Sequence, residues 1–133
     1  MNVLLALLHT AHVHHERAHA WVATVGELAT CSITELGLIR LAINPGVLDP
    51  PLSSATVLGF LDDVRARPGG HVLWADDIAP GRGVVPIRTH GHVSDAHLVA
   101  LADRWDGTVM TFDRGLARRA SEVGRPELAT LVP

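Results

Sequence analysis

"LATCSI" (28–33) runs without a break into "TELGLIRLAI" (34–43), and the reading of this stretch decides the fold. The first segment is short, apolar and partly β-branched, which makes it a strand. The second carries Leu36, Ile39 and Ile43 at helical spacing behind Thr34, a suitable N-cap, which makes it an amphipathic helix. A strand leading directly into a helix is the repeating unit of an α/β protein with a parallel sheet. The alternation continues outward in both directions. Helices are predicted over 15–25, with Ala18, Trp21, Val22 and Val25 on one stripe, and over 54–66, with Val57, Leu58, Leu61 and Val64 inward. Two more are predicted over 94–105, with Leu98, Leu101, Ala102 and Trp105 behind Ser94 as N-cap, and over 113–123, which Gly124 ends. Strands are predicted over 71–75, 107–112 and 127–132; 44–53 is a loop and 76–93 is mostly irregular.

Composition bounds the function. A chain of 133 residues with 47% apolar content buries a core as one domain, 1–133, and no repeat or linker divides it. Cys31 stands alone, so no internal disulfide forms and a reducing compartment is expected. The net charge of −3 provides no overall positive field, so any nucleic-acid role must be local and catalytic. All 11 basic residues are arginine, which GC-rich coding explains. No Lys or Arg precedes the apolar run in "MNVLLALL", which argues against a secretion signal, and no stretch is long enough to span a membrane. A cytoplasmic location is expected.

Three carboxylates stand at predicted strand-to-helix boundaries. Glu35 lies in the first helical turn after strand 28–33, Asp95 follows Ser94, and Asp113 follows strand 107–112. The carboxyl ends of parallel strands share one edge, where active sites form. Each acid alone also suits a helix N-terminus, where it complements the dipole. If the three converge, their mutual repulsion demands a cation, and an all-oxygen donor set suits Mg²⁺ or Mn²⁺. Such a metal is used to bind phosphate oxygens and activate water.

"SITELGLIRL", "HVSDAHLVALA" and "VMTFDRG", in this order and spacing, resemble the PIN domain, specifically the VapC-type toxins of bacterial toxin–antitoxin pairs. "HVHHERAHAWV" and "HVLWADDI" extend the resemblance over nearly the whole chain. The resemblance implies a three-layer α/β sandwich with a short parallel sheet and a metal-dependent endoribonuclease. It implies that Glu35, Asp95 and Asp113 are catalytic and hold Mg²⁺ or Mn²⁺, with Thr111 as the hydroxyl residue beside the last Asp. It further implies an RNA substrate, a cognate antitoxin that blocks the acidic site, and a homodimer. The family's first motif is an Asp, one residue, then Asn-Val-Leu; Asn2-Val3-Leu4 fits it and is the supporting contribution of the opening segment. On that alignment the first central strand and its Asp are expected to be missing from the chain as written. The alternative function is then a catalytically impaired PIN-like module that only binds an antitoxin.

Other residues have simpler readings. His15 and His19, four apart beside Glu16, invite a zinc site, but no matched Cys or His motif accompanies them. Cys31 reads as a small buried apolar residue in mid-strand, and Trp21, Trp74 and Trp105 as core. Arg114, Arg118 and Arg119 read as a solvated helix face, with cations beside the acidic site as the other possibility. Asp62, Asp63, Asp76 and Asp77 read as surface charge and turn residues, and His97 as a solvated or core histidine.

Overall fold

The computed structural model describes residues 1–81 and 83–133; Arg82, within the irregular stretch 76–93, lies outside the described residues. The chain forms two compact units, Met1–Ala75 and Asp76–Pro133.

In the first unit the order is α1 (Asn2–Leu8), α2 (His15–Val22), β1 (Leu28–Cys31), α3 (Ser32–Ala42), α4 (Ser54–Arg65) and β2 (His71–Trp74). β1 and β2 pair in parallel, with Leu28 opposite His71 and Cys31 opposite Trp74. α1 packs on α2 and α3, and α3 packs on α4. The apolar run of the opening segment is core: Val3, Leu4, Leu5, Ala6 and Leu7 are all buried, as are Leu38 on α3 and Val57 and Leu61 on α4. At Gly37 on α3 the Met1 side chain fills the place where a Cβ would stand, so a larger residue there would displace that flexible side chain. Arg67 closes the unit. Its Nη1 donates to the carbonyls of Gly26 and Gly70 (2.9 Å each), and its Nη2 to those of Val22 (3.1 Å) and Val25 (2.9 Å).

The histidine-rich segment is explained by α1. A helix leaves its last carbonyls without intrahelical partners. His15 Nδ1 donates to the Ala6 carbonyl (2.7 Å) and His19 Nε2 to that of Leu7 (3.0 Å). The i, i+4 spacing that invited zinc therefore caps one helix with the side chains of the next.

In the second unit a 3₁₀ turn (His90–His92) leads into α5 (Val93–Arg104), then β3 (Val109–Thr111), α6 (Arg114–Glu122), a second 3₁₀ turn (Pro126–Leu128) and β4 (Ala129–Leu131). β3 and β4 pair in parallel, Val109 opposite Ala129. The core gathers Val85, Val99, Leu116, Ala120, Leu128 and Ala129. Gly83 brings the preceding loop against α5, where a Cβ would stand 2.9 Å from the Ala96 carbonyl oxygen. Gly124 ends α6 at φ +75°, as the sequence predicts.

The alternation of helices with short parallel sheets matches the α/β expectation, and the differences are local. Thr34 is not the N-cap of α3: Cys31, still extended, takes that place, and the Thr34 hydroxyl three residues on accepts from the Cys31 amide (3.0 Å). Cys31 is thus buried but ends its strand rather than sitting within it. Ser94 is not the N-cap of α5, because the 3₁₀ turn carries the chain into helix by Val93 with His92 as cap. Leu36, Ile43, Leu58 and Trp105 are exposed rather than inward. Leu58 lies at the flank of its stripe, Leu36 and Ile43 fall on the side of α3 away from Leu38 and Ala42, and Trp105 stands past the end of α5 as its C-cap. Trp105 instead carries the Arg104 guanidinium over its ring at 5.1 Å.

Candidate active site

Glu35 belongs to the first unit. The direct passage from β1 to α3 puts it in the first helical turn, and it is buried despite its charge. Burying a carboxylate demands partners. Thr30 on β1 donates its hydroxyl to Glu35 Oε1 (2.6 Å), and Arg65 Nη2 at the end of α4 pairs with Oε2. The Thr30 hydroxyl proton is committed to Glu35, so the oxygen accepts from His71 Nε2 (2.8 Å) on the neighbouring strand. The chain of donors therefore runs His71, Thr30, Glu35. Desolvation pushes the His71 imidazole below its ordinary value, and the tautomer that carries its proton on Nε2 fills that role. Asn2, at the start of α1, is half-buried in the same unit.

Asp95 and Asp113 belong to the second unit. Asp95 stands in the first turn of α5, and its Oδ2 accepts from Arg119 Nη2 at 2.8 Å. Asp113 is the N-cap of α6: its Oδ1 accepts from the Gly115 amide at 2.7 Å. Thr111, buried at the end of β3, accepts the Asp113 amide on its hydroxyl (3.0 Å), which sets the direction in which the chain leaves the strand. Gly115 leaves space between the second acid and the arginine. A Cβ there would stand 3.0 Å from Asp113 Oδ1 and 3.4 Å from Arg119 Nη1.

Arg119 is the residue the sequence reading placed wrongly. It is buried, with only 9% of its surface exposed, and its Nε is buried with no partner among the described residues. The signal was present: Arg119 lies three residues after Leu116 and beside Ala120, both core, so it falls on the inward stripe of α6. Arg118 is exposed and pairs with Glu122, as a solvated face predicts. His97 is buried, one of the two readings the sequence left open, and its Nε2 meets Asp76 Oδ1 at 2.7 Å. Asp76 and Asp77 are exposed as expected, and Asp77 pairs with Arg104 (2.9 Å), so both acids contact α5. Asp62 pairs with Arg65 on its own helix.

Among the described residues no three of His, Cys, Asp or Glu stand close enough to enclose a metal ion. The second unit thus presents one carboxylate paired with a guanidinium and a second, Asp113, on the other side of Gly115 from it, three charges that sum to one net negative. Asp95 Oδ1 and Asp113 Oδ2 have no hydrogen-bond partner among the described residues. Two hard oxygen donors, with neither sulfur nor imidazole, fit Mg²⁺ or Mn²⁺, which keep several waters and need few protein ligands.

A PIN domain family model matches residues 1–122. The chain belongs to the PIN-domain family. This PIN domain is 38% identical over 126 residues to Ribonuclease VapC38 of Mycobacterium tuberculosis, an alignment covering 92% of the chain and 88% of that relative. It is 35% identical over 127 residues to Ribonuclease VapC39 of the same organism, covering 91% of each. With Ribonuclease VapC44, also of that organism, it shares 37% over 139 residues, covering 98% of the chain and 96% of the relative. The PIN domain's two strand-to-helix boundaries that carry acids, β1 to α3 and β3 to α6, both lie inside the matched residues. Among the described residues no helix is long and apolar enough to cross a membrane.

Proposed function

We propose that this protein is a metal-dependent endoribonuclease, the toxin of a toxin–antitoxin pair, that hydrolyses RNA phosphodiester bonds in the cytoplasm. The observation that carries the reading is Asp95, paired with the buried Arg119, and Asp113, set near the same arginine across Gly115, in a chain similar along nearly its whole length to proteins named ribonucleases. Asp95 Oδ1 and Asp113 Oδ2 are the oxygens offered to Mg²⁺ or Mn²⁺, and Glu35, in the first unit, is assigned a catalytic role by the family resemblance alone. A divalent cation bound there supplies Lewis-acid polarisation of the phosphodiester and hydroxide at neutral pH. The chain's own residues do the rest. Thr111 and the α6 cap fix Asp113, Arg119 fixes Asp95, and Thr30 with Arg65 fixes Glu35. The antitoxin is a protein partner that covers these acids, and the toxin acts as a homodimer.

Asp113→Asn tests this cleanly. Asn caps a helix as well as Asp does, so the fold of α6 is kept while the charge is lost. The protein expressed from its own locus is expected to cleave RNA in Mn²⁺, and the variant to lose about 10²-fold or more of that rate. Unchanged cleavage would remove Asp113 from the site. Tight co-purification with an antitoxin and no cleavage by the unaltered protein would favour the binding-module reading instead.

A further inference from the structure

We propose that Arg119 is the resident counter-cation of the acidic site: it aims Asp95 before a divalent ion arrives, and it sets how tightly that ion binds. The inference rests on the metal-dependent reading above and deepens it. Four observations converge on it. Arg119 is nine-tenths buried, although a long charged side chain on an exposed helix ordinarily extends to solvent. Its only hydrogen bond among the described residues goes to Asp95, and its Nε is buried without a partner, so the guanidinium is held for the carboxylate rather than for its own satisfaction. The position beside it is a glycine whose missing Cβ keeps Arg119 Nη1 and Asp113 Oδ1 facing a common space. Finally, Arg119 lies on the core stripe between Leu116 and Ala120, so packing fixes its stem.

The charge balance gives the consequence. Without Arg119, Asp95 and Asp113 would present two negative charges with no cation beside them, and the empty site would repel itself. With it, the group carries one negative charge, which attracts a divalent ion but binds it less tightly than two bare carboxylates would. Arg119 is therefore a positioning residue. Its removal should tighten metal binding while slowing cleavage, because Asp95 loses the charged donor that orients it.

The test measures Mn²⁺ binding by calorimetry and by the electron spin resonance of free Mn²⁺, separately from RNA cleavage. Arg119→Met is expected to bind Mn²⁺ about tenfold more tightly than the unaltered protein, and to gain a larger rise in Tm on adding Mn²⁺. Arg119→Lys, which keeps the charge, is expected to bind Mn²⁺ within about threefold of the unaltered protein while still cleaving slowly. Equal or weaker binding in Arg119→Met overturns the proposal and leaves the nuclease reading standing. No Mn²⁺ binding by the unaltered protein or by Arg119→Met overturns both. If Arg119→Met does not fold, the arginine side-chain ¹⁵N resonances of the unaltered protein decide the matter during a Mg²⁺ titration. A shift of the Arg119 guanidinium signal supports the proposal, and an unmoved signal at saturation overturns it.

Discussion

Replacing Thr30 with valine removes one oxygen from the interior of the first unit and changes little in shape. The hydroxyl is buried, donates to Glu35 at 2.6 Å and accepts from His71 at 2.8 Å. A hydrogen bond to a charged group contributes about 1.5–3 kcal/mol, and the larger part of this loss falls on Glu35. Arg65 stays on the other carboxylate oxygen, which keeps Glu35 from becoming an unpaired buried charge. His71 is half-buried and turns its Nε2 toward water at smaller cost. The expected loss is about 2–3 kcal/mol. At about 2.1 cal/mol/K of unfolding entropy per residue, each kcal/mol lowers the Tm of a chain this long by about 3–4 °C, so Tm falls by about 7–10 °C. Urea unfolding followed by circular dichroism at pH 7.5 measures it, with Thr30→Ser as companion. Serine keeps the hydroxyl and loses only a methyl, so it should retain most of the stability. A Thr30→Val protein within about 0.5 kcal/mol of the unaltered one, or a serine variant as weak as valine, would refute the relay from His71 to Glu35.

Two further outcomes follow from the first unit. Arg67→Met removes four hydrogen bonds to the carbonyls of residues 22, 25, 26 and 70 and should cost about 2–3 kcal/mol in the same assay. Arg67→Lys should recover little of it, because one ammonium cannot reach all four, and full recovery would show that charge rather than the planar fork matters. Stability should also fall on acidification. Burial pushes His71 below the ordinary imidazole value of 6.5, and burial followed by the neighbouring His14, His9 and His15 does the same to His12. Between those lowered values and 6.5 the unfolded chain binds more protons than the folded one, so the folded state is at full strength above about pH 6.5 and weakens as pH falls through it. Tm measured from pH 7.5 to 5.5 checks this; the slope should flatten in His71→Asn, and a slope equal to that of the unaltered protein would exclude His71 as a contributor.

The sequence by itself determined the order of elements and the address of each acid. Short apolar strands and amphipathic helices are local patterns, and period and turn chemistry reveal them without a partner in view. That is why "LATCSI" and "TELGLIRLAI" could be read as strand and helix, why Gly124 could be placed at a helix end, and why Glu35, Asp95 and Asp113 fell at helix starts. The precise starts of α3 and α5 escaped it, because Cys31 is an uncommon cap residue held by the Thr34 hydroxyl bonding back to its amide, and the turn at His90–His92 carries the chain into α5 one residue before Ser94.

Only the tertiary structure decided what each acid touches. Thr30 and His71 meet across two strands 41 residues apart in sequence, and Asp95 meets an arginine 24 residues away. Such pairings depend on register and packing, which no local pattern encodes. Arg119 shows the difference most directly. In sequence it is one of three arginines on a polar helix, and its burial follows from the side on which α6 meets its core. The chain sets out the charges by local rules, and non-local packing determines which of them face one another.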